Sequence, residues 1–128
     1  MRNLTFRGAI ITGEGNGKRY LSLPWVWQQI EEKLGFTPYA GTLNLRLTAE
    51  GVKRRALLLK AETKAVYPAE GYCVGALFAA SVEGLECGVV IPEVATYPKD
   101  LLEIIAPVNL REQLRIEDGD RVKLVVYF

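Results

Sequence analysis

The stretch Thr42-Leu43-Asn44-Leu45-Arg46-Leu47 alternates without a break. Leu43, Leu45 and Leu47 fall on one face; Thr42, Asn44 and Arg46 fall on the other. Side chains two apart on a strand point the same way. The pattern therefore predicts a strand with one face in a core and the other polar. Towards the N-terminus, Leu4 to Thr12 reads as another strand, with Phe6, Gly8 and Ile10 on one face, and Tyr20 to Leu23 as a short one. Between them and Thr42, Val26, Ile30 and Leu34 recur every four residues. Pro24 suits a first helical turn and Gly35 a C′ position, so Pro24 to Leu34 is expected to be an amphipathic helix, anchored by Trp25 and Trp27. Towards the C-terminus, Ala56 to Val66, Cys73 to Val82, Leu85 to Ile91, Leu102 to Ala106 and Arg121 to Phe128 read as strands. Val82-Glu83-Gly84-Leu85 has the form of a tight hairpin. Leu110 to Leu114 suits one helical turn, and Asp118-Gly119 a turn. Regular helix–strand alternation is missing, which argues against a Rossmann-type sheet. Many short strands in one small unit point to a closed barrel, which removes exposed edges.

Composition narrows the function. The 128 residues suit one domain, residues 1–128. Sixteen basic residues stand against fifteen acidic ones, so little net charge is available to attract a nucleic acid. No apolar run is long enough to span a membrane, and the N-terminus lacks the apolar core of a signal peptide. The chain reads as cytoplasmic, with neither a nucleic acid nor a membrane as partner. There is no histidine. Ser-His and Cys-His nucleophile pairs are thereby excluded, and so is every His-ligated metal site. Cys73 and Cys87 form no CxxC motif and read as reduced, half-buried strand residues, or as a disulfide if they are cross-strand neighbours.

Four constellations can carry chemistry. Gly13-Glu14-Gly15-Asn16-Gly17-Lys18-Arg19 follows a strand directly. Its alternating glycines let backbone N–H groups approach an anion with no Cβ in the way, and Lys18 and Arg19 add positive charge. The spacing fits neither a Walker A loop nor a dinucleotide fingerprint, and a flexible hairpin loop is the plain alternative. Thr42 and Asn44, neutral oxygen donors on one strand face, suit a Mg²⁺ that phosphate oxygens and water complete; an ordinary solvent face is the alternative. Glu103 lies inside the apolar run Leu101 to Ile105, either as the outward residue of a strand or as a ligand contact. Arg111, after Val108, Asn109 and Leu110, is a phosphate or base contact, or else a salt-bridge partner of Glu112 or Asp118. The segment Asp118-Gly119-Asp120 before a Val-rich strand is a structural device of small barrels. Lys53-Arg54-Arg55 reads as a solvated loop cluster.

These motifs, with Tyr20-Leu21-Ser22-Leu23-Pro24, Leu34-Gly35-Phe36, Pro38-Tyr39, Val90-Ile91-Pro92 and Glu103-Ile104-Ile105-Ala106-Pro107, occur in an order that resembles the archaeal CTP-dependent riboflavin kinases. The likeness covers most of the chain, with little from Glu50 to Glu86. It implies a mainly β fold: a small closed six-stranded cradle-loop (RIFT-type) barrel with one or two short helices. It implies transfer of phosphate from CTP to the terminal ribityl hydroxyl of riboflavin, giving FMN and CDP. Gly13 to Arg19 would hold the nucleotide phosphates and Val108 to Arg111 would line the cytidine site. Thr42 and Asn44 would bind Mg²⁺. Thr96 and Glu103 would contact the flavin, although Thr96 stands one residue beyond the family spacing, where Ala95 is aligned. No obligatory protein partner is implied.

Phosphoryl transfer rests on positioning and charge stabilisation and needs no covalent nucleophile, which suits a chain without histidine. Glu103 is the best carboxylate candidate for a base. Two rivals remain at this level: a non-enzymatic swapped-hairpin barrel that binds DNA or protein, and an ATP-dependent flavin kinase. The glycine loop supplies the first prediction. In Gly17→Val a Cβ enters where a phosphate must approach. We expect nucleotide affinity to collapse with the melting curve retained; titrating CTP into the folded variant checks it, and unchanged affinity returns the loop to a plain hairpin.

Overall fold

Leu45 lies opposite Ile10 on one neighbouring strand and opposite Leu102 on the other. These three strands are β1 (Asn3–Ile11), β2 (Leu43–Leu47) and β6 (Leu101–Ile105). The computed structural model describes residues 2–13, 24–39, 41–60, 75–93 and 97–128, and the backbone of residues 64–66. Within them stand also β3 (Lys64–Val66), β4 (Gly75–Val82), β5 (Leu85–Pro92) and β7 (Arg121–Tyr127). Strand order is β3-β4-β5-β6-β2-β1-β7, and a further β4–β7 pairing joins the ends. Ala79 to Val82 there run against Leu124 to Tyr127. The result is a closed, antiparallel, six-stranded barrel, with β3 added to the free side of β4.

Period-two patterning fills the barrel. Phe6, Ile10, Leu43, Leu45, Phe78, Val89, Leu102, Ile104, Leu124 and Val126 all belong to one buried cluster. Each Leu, Ile or Phe buried in this way contributes roughly 1.5–3 kcal/mol of transfer free energy. The hairpin between β4 and β5 is as tight as expected. Glu83 and Gly84 have φ of 47° and 83°, the two left-handed residues that a turn matching the strand twist requires. Cys87 on β5 is a free thiol and fully buried rather than half-buried. Burial, and then Glu86 beside it, push its pKa up to about 12. Cys73 lies outside the described residues, as does the strand expected over Tyr20 to Leu23.

Three helices stand among the described residues. α1 (Pro24–Leu34) has the expected bounds. It covers the outer face of the barrel, where Val26, Ile30 and Phe36 pack on Leu77, Val90 and Ile105, with Trp25 at the margin. α2 (Ala49–Leu58) corrects two expectations. Ala56 to Leu58 is helix, so the strand expected over Ala56 to Val66 is reduced to Lys64–Val66. The cause is local. The Thr48 hydroxyl caps the helix by accepting from the Gly51 N–H at 3.2 Å, and Glu50 sits in the first turn. The apolar run Leu57-Leu58-Leu59 imitates a buried strand, but only Leu58 enters the core while Leu57 and Leu59 are exposed. The basic trio Lys53-Arg54-Arg55 is correspondingly helical rather than a loop, and Arg55 is buried. α3 (Leu110–Leu114) is the single turn expected. With α2 included, the count exceeds the one or two helices that the resemblance implies.

Candidate functional site

The polar face of β2 is the outer face of the barrel. Asn44 is the cross-strand partner of Ile11 on β1 and of Glu103 on β6. Thr42, just ahead of β2, donates from its hydroxyl to Glu103 Oε1 at 3.2 Å. Thr42, Asn44 and Glu103, far apart in sequence, therefore meet on one patch. Gly13 closes it from above: a Cβ there would collide with the amide of Asn44. Glycine lets the chain leave β1 this close to Asn44 without displacing its amide.

The other oxygen of Glu103 is also taken. The Tyr97 hydroxyl donates to Oε2 at 2.7 Å. Burial, then the neighbouring Glu103, raise the Tyr97 pKa, so the phenol keeps its proton. Behind its ring lies the Arg55 guanidinium, 5.7 Å from the ring centroid, a cation–π distance. Arg55 is 7% exposed, and its Nε has no hydrogen-bond partner among the described residues. Burial pulls its pKa down from the ordinary value, against the opposing pull of Tyr97 and Asp100.

Thr42 also borders a pocket of about 180 Å³. Tyr39, Gly41, Ala106, Val108, Asn109 and Arg111 are among its walls. Asn109 is the N-cap of α3, with its amide oxygen accepting from the Glu112 N–H at 3.3 Å and its Nδ2 donating to the Tyr39 hydroxyl at 3.4 Å. The Tyr39 N–H donates to Ala106 O at 2.7 Å, which fixes the 36–39 segment along the end of β6. Leu110 is buried and Val108 is exposed.

A clasp joins this pocket to the start of the glycine segment. Arg111 pairs with Asp118 at 2.7 Å and donates to Ile11 O at 3.3 Å. Thr12 donates from its hydroxyl to the other oxygen of Asp118. Gly119 N–H donates to Ile10 O at 2.8 Å, seating the Asp118-Gly119 turn on β1. The hydrogen bonds from Thr12 and Arg111 hold the Asp118 carboxyl below its ordinary range. Of the two pairings open to Arg111 in the sequence, Asp118 is the one formed.

Of the expected site residues, Gly13, Thr42, Asn44 and Glu103 come together. Val108, Asn109, Leu110 and Arg111 form the adjoining pocket wall, and Thr42 belongs to both groups. Glu14, Gly15, Asn16, Gly17, Lys18, Arg19, Ala95 and Thr96 lie outside the described residues. Sequence reasoning missed Arg55 as a member of this surface, gave Tyr39 and Tyr97 no role of their own, and named Asp118 only as a salt-bridge partner of Arg111. The signal for Arg55 was its helical spacing from Gly51 and Leu58, which gives all three the buried face of α2. Among the described residues no group of three His, Cys, Asp or Glu side chains is placed to hold a metal, and no helix is long and apolar enough to cross a membrane.

A family model labelled CTP-dep_RFKase and described as "Domain of unknown function DUF120" matches residues 10–126. The riboflavin kinase of Methanococcoides burtonii is 42% identical over 126 residues, covering 93% of this chain and 55% of that protein. That of Ignicoccus hospitalis is 36% identical over 131 residues, covering 97% of this chain and 72% of that protein. The Archaeoglobus fulgidus riboflavin kinase is 36% identical over 132 residues, covering 96% and 54%. The chain thus spans about half the length of the first and third of these relatives.

The clasp gives a pH prediction. A carboxyl held low in the folded state adds stability above its unfolded pKa, and loses it as pH falls through the folded value. Asp118→Asn should therefore melt below the parent at pH 7, and the gap should close as the pH is lowered through about 4 and beyond. Paired melting curves across that range check it; a gap that is constant with pH would refute the ionic origin.

Proposed function

The chain belongs to the CTP-dependent riboflavin kinase family, and on that premise we propose that it phosphorylates riboflavin to FMN with CTP as donor. The observation that carries this reading is the junction at Thr42. That residue both donates to Glu103 and borders the pocket of residues 108–111. An acceptor at Glu103 and a nucleotide in the pocket would then present their reacting ends to the same short piece of β2.

In this reading Val108 to Arg111 line the cytidine site. Pyrimidine choice comes from backbone groups there, because the Asn109 amide oxygen and the Arg111 guanidinium already serve α3 and Asp118. Gly13 begins the loop, through Glu14, Gly15, Asn16, Gly17, Lys18 and Arg19, that cradles the phosphates. Lys18 and Arg19 offset charge that develops on them. Thr96 and Glu103 hold the flavin. The terminal ribityl oxygen attacks the γ-phosphorus as the bond to the β-phosphate oxygen breaks, giving FMN and CDP. Glu103 accepts the hydroxyl proton and releases it to solvent.

Thr42 and Asn44 suit Mg²⁺. They offer hard, neutral oxygens on the outer face of β2, with the Glu103 carboxylate 3.2 Å from the Thr42 hydroxyl and opposite Asn44. Such an ion, bound there with the nucleotide, would neutralise phosphate charge. Asn44 sits on a paired strand, which fixes it opposite Glu103, and Thr42 stands one residue ahead of that strand.

Two outcomes test the reading. Incubated with riboflavin, Mg²⁺ and one nucleoside triphosphate at a time, the protein is expected to form FMN with CTP far faster than with ATP or GTP. Equal rates with ATP would retain a kinase and remove the CTP assignment; no FMN with any donor would leave a passive barrel. Asn44→Ala should keep a near-native melting temperature and lose on the order of 10²-fold in rate, about 3 kcal/mol of transition-state stabilisation. Leu45→Ala, one residue on and fully buried, should instead cost about 2–5 kcal/mol of stability. Normal turnover by Asn44→Ala at limiting Mg²⁺ would remove the metal site.

A further inference from the structure

Glu103 is held at both of its oxygens. Thr42 takes Oε1 from the β2 side, and Tyr97 takes Oε2 from the segment that leads into β6. A glutamate side chain on a strand has three rotatable bonds, and in water its carboxylate samples many orientations. Two hydrogen bonds from opposite sides select one of them. Thr42 already has a place in the nucleotide and metal reading. Tyr97 has none, and its contact is the shorter of the two.

Tyr97 is itself supported. Its ring lies over the guanidinium of Arg55, a residue 7% exposed on the inner face of α2. A buried cation whose Nε has no hydrogen-bond partner among the described residues is costly to keep. Replacement by an apolar residue would relieve that cost, so its presence calls for a role. The face of the Tyr97 ring gives the guanidinium an electrostatic partner. The guanidinium in turn limits where the ring, and hence the hydroxyl, can sit. The order of contact is Arg55, Tyr97 ring, Tyr97 hydroxyl, Glu103, running from the buried side of α2 to the outer face of β6.

We propose that Tyr97 is a positioning residue for acceptor binding: seated on Arg55, it fixes the orientation in which Glu103 meets the flavin. This rests on the reading that Glu103 contacts riboflavin. Tyr97 acts through Glu103 and is not among the residues that line the nucleotide pocket. Its effect should therefore appear in the acceptor and not in the donor.

The test uses Tyr97→Phe, which removes the hydroxyl and leaves a ring for Arg55, together with Glu103→Ala and the double variant. Riboflavin affinity is read directly from quenching of flavin fluorescence without nucleotide, and KM for riboflavin and for CTP from FMN formation. Loss of a hydrogen bond to a charged group predicts an affinity decrease on the order of tenfold for Tyr97→Phe, with riboflavin KM raised in step. The KM for CTP and the melting temperature should stay near the parent values. With Glu103 already truncated, the hydroxyl has nothing to orient, so the double variant should bind riboflavin no worse than Glu103→Ala. If Glu103→Ala weakens riboflavin but Tyr97→Phe does not, the positioning role fails and the flavin contact stands. If the two losses multiply in the double variant, Tyr97 acts independently of Glu103 and the proposal fails. If Glu103→Ala binds riboflavin as the parent does, the flavin contact itself is wrong and the proposal falls with it.

Discussion

The antiparallel register between β2 and β6 places everything else. It sets Leu45 against Leu102 and, one residue away, Asn44 against Glu103. Because successive side chains alternate, the same register that closes the core over Leu43, Leu45, Leu102 and Ile104 also presents Thr42, Asn44 and Glu103 together outside. A slip of one residue would turn three leucines outward and bury Asn44 and Arg46. The hydrophobic free energy of the barrel thus guards the geometry of the polar patch. Gly13 tightens the constraint from the β1 side, since a side chain there would have to displace the Asn44 amide.

Two polar assemblies then stiffen the surroundings of that patch. On one flank, Arg55, Tyr97 and Thr42 converge on Glu103. On the other, Arg111 and Thr12 share the carboxylate of Asp118, while the turn after it is bonded to β1. Each assembly links elements remote in sequence: α2 to β6 in the first case, α3 to the end of β1 in the second. Phosphoryl transfer depends on holding two substrates in line more than on any single reactive side chain. A frame in which the carboxylates already have their partners need not reorganise when ligands arrive. An exposed pair such as Arg111 with Asp118 adds little stability by itself. Its value here is geometric, because the same guanidinium also holds Ile11 O, two residues before Gly13.

What could be read from the chain alone follows from how local each signal is. The strands β1, β2, β5 and β7, the helix α1 with its proline start and glycine stop, and the Glu83-Gly84 hairpin are all written in spacings of two to four residues. So is the shared face of Thr42 and Asn44. The segment Ala49 to Leu58 misled because Leu57-Leu58-Leu59 suits a buried strand as well as it suits a helix. The deciding feature lay upstream, in the cap at Thr48. Arg55 was hidden by its neighbours, since a Lys-Arg-Arg run looks solvated unless the helical period is already known. Tyr97 and Asp118 owe their places to contacts across the fold, with Arg55 and Thr12 respectively. Period and spacing carry no record of such contacts. The family likeness named Glu103 and the 108–111 segment but not the residues that orient them.

The location of the patch outside the barrel follows from size. Six strands enclose a space occupied by Phe6, Phe78, Leu45, Ile104 and Leu124 and their buried neighbours, and small barrels have interiors filled by side chains. Any substrate must therefore be bound on outward strand faces and by the segments that cross them. Strand faces give fixed spacings, as between Asn44 and Glu103, but only one row of side chains each. Enclosure has to come from elsewhere: among the described residues, α1 beside β5 and β6, the 36–39 segment against Ala106, and α3. This divides the labour of the molecule. The sheet sets where charge and oxygen ligands stand. The connections, of which the 108–111 turn is the clearest described example, set the shape of what can bind beside them. Changes of substrate preference in such a barrel are thus expected to arise in the connections, while Asn44, opposite Glu103 and packed under Gly13, has almost no freedom to vary.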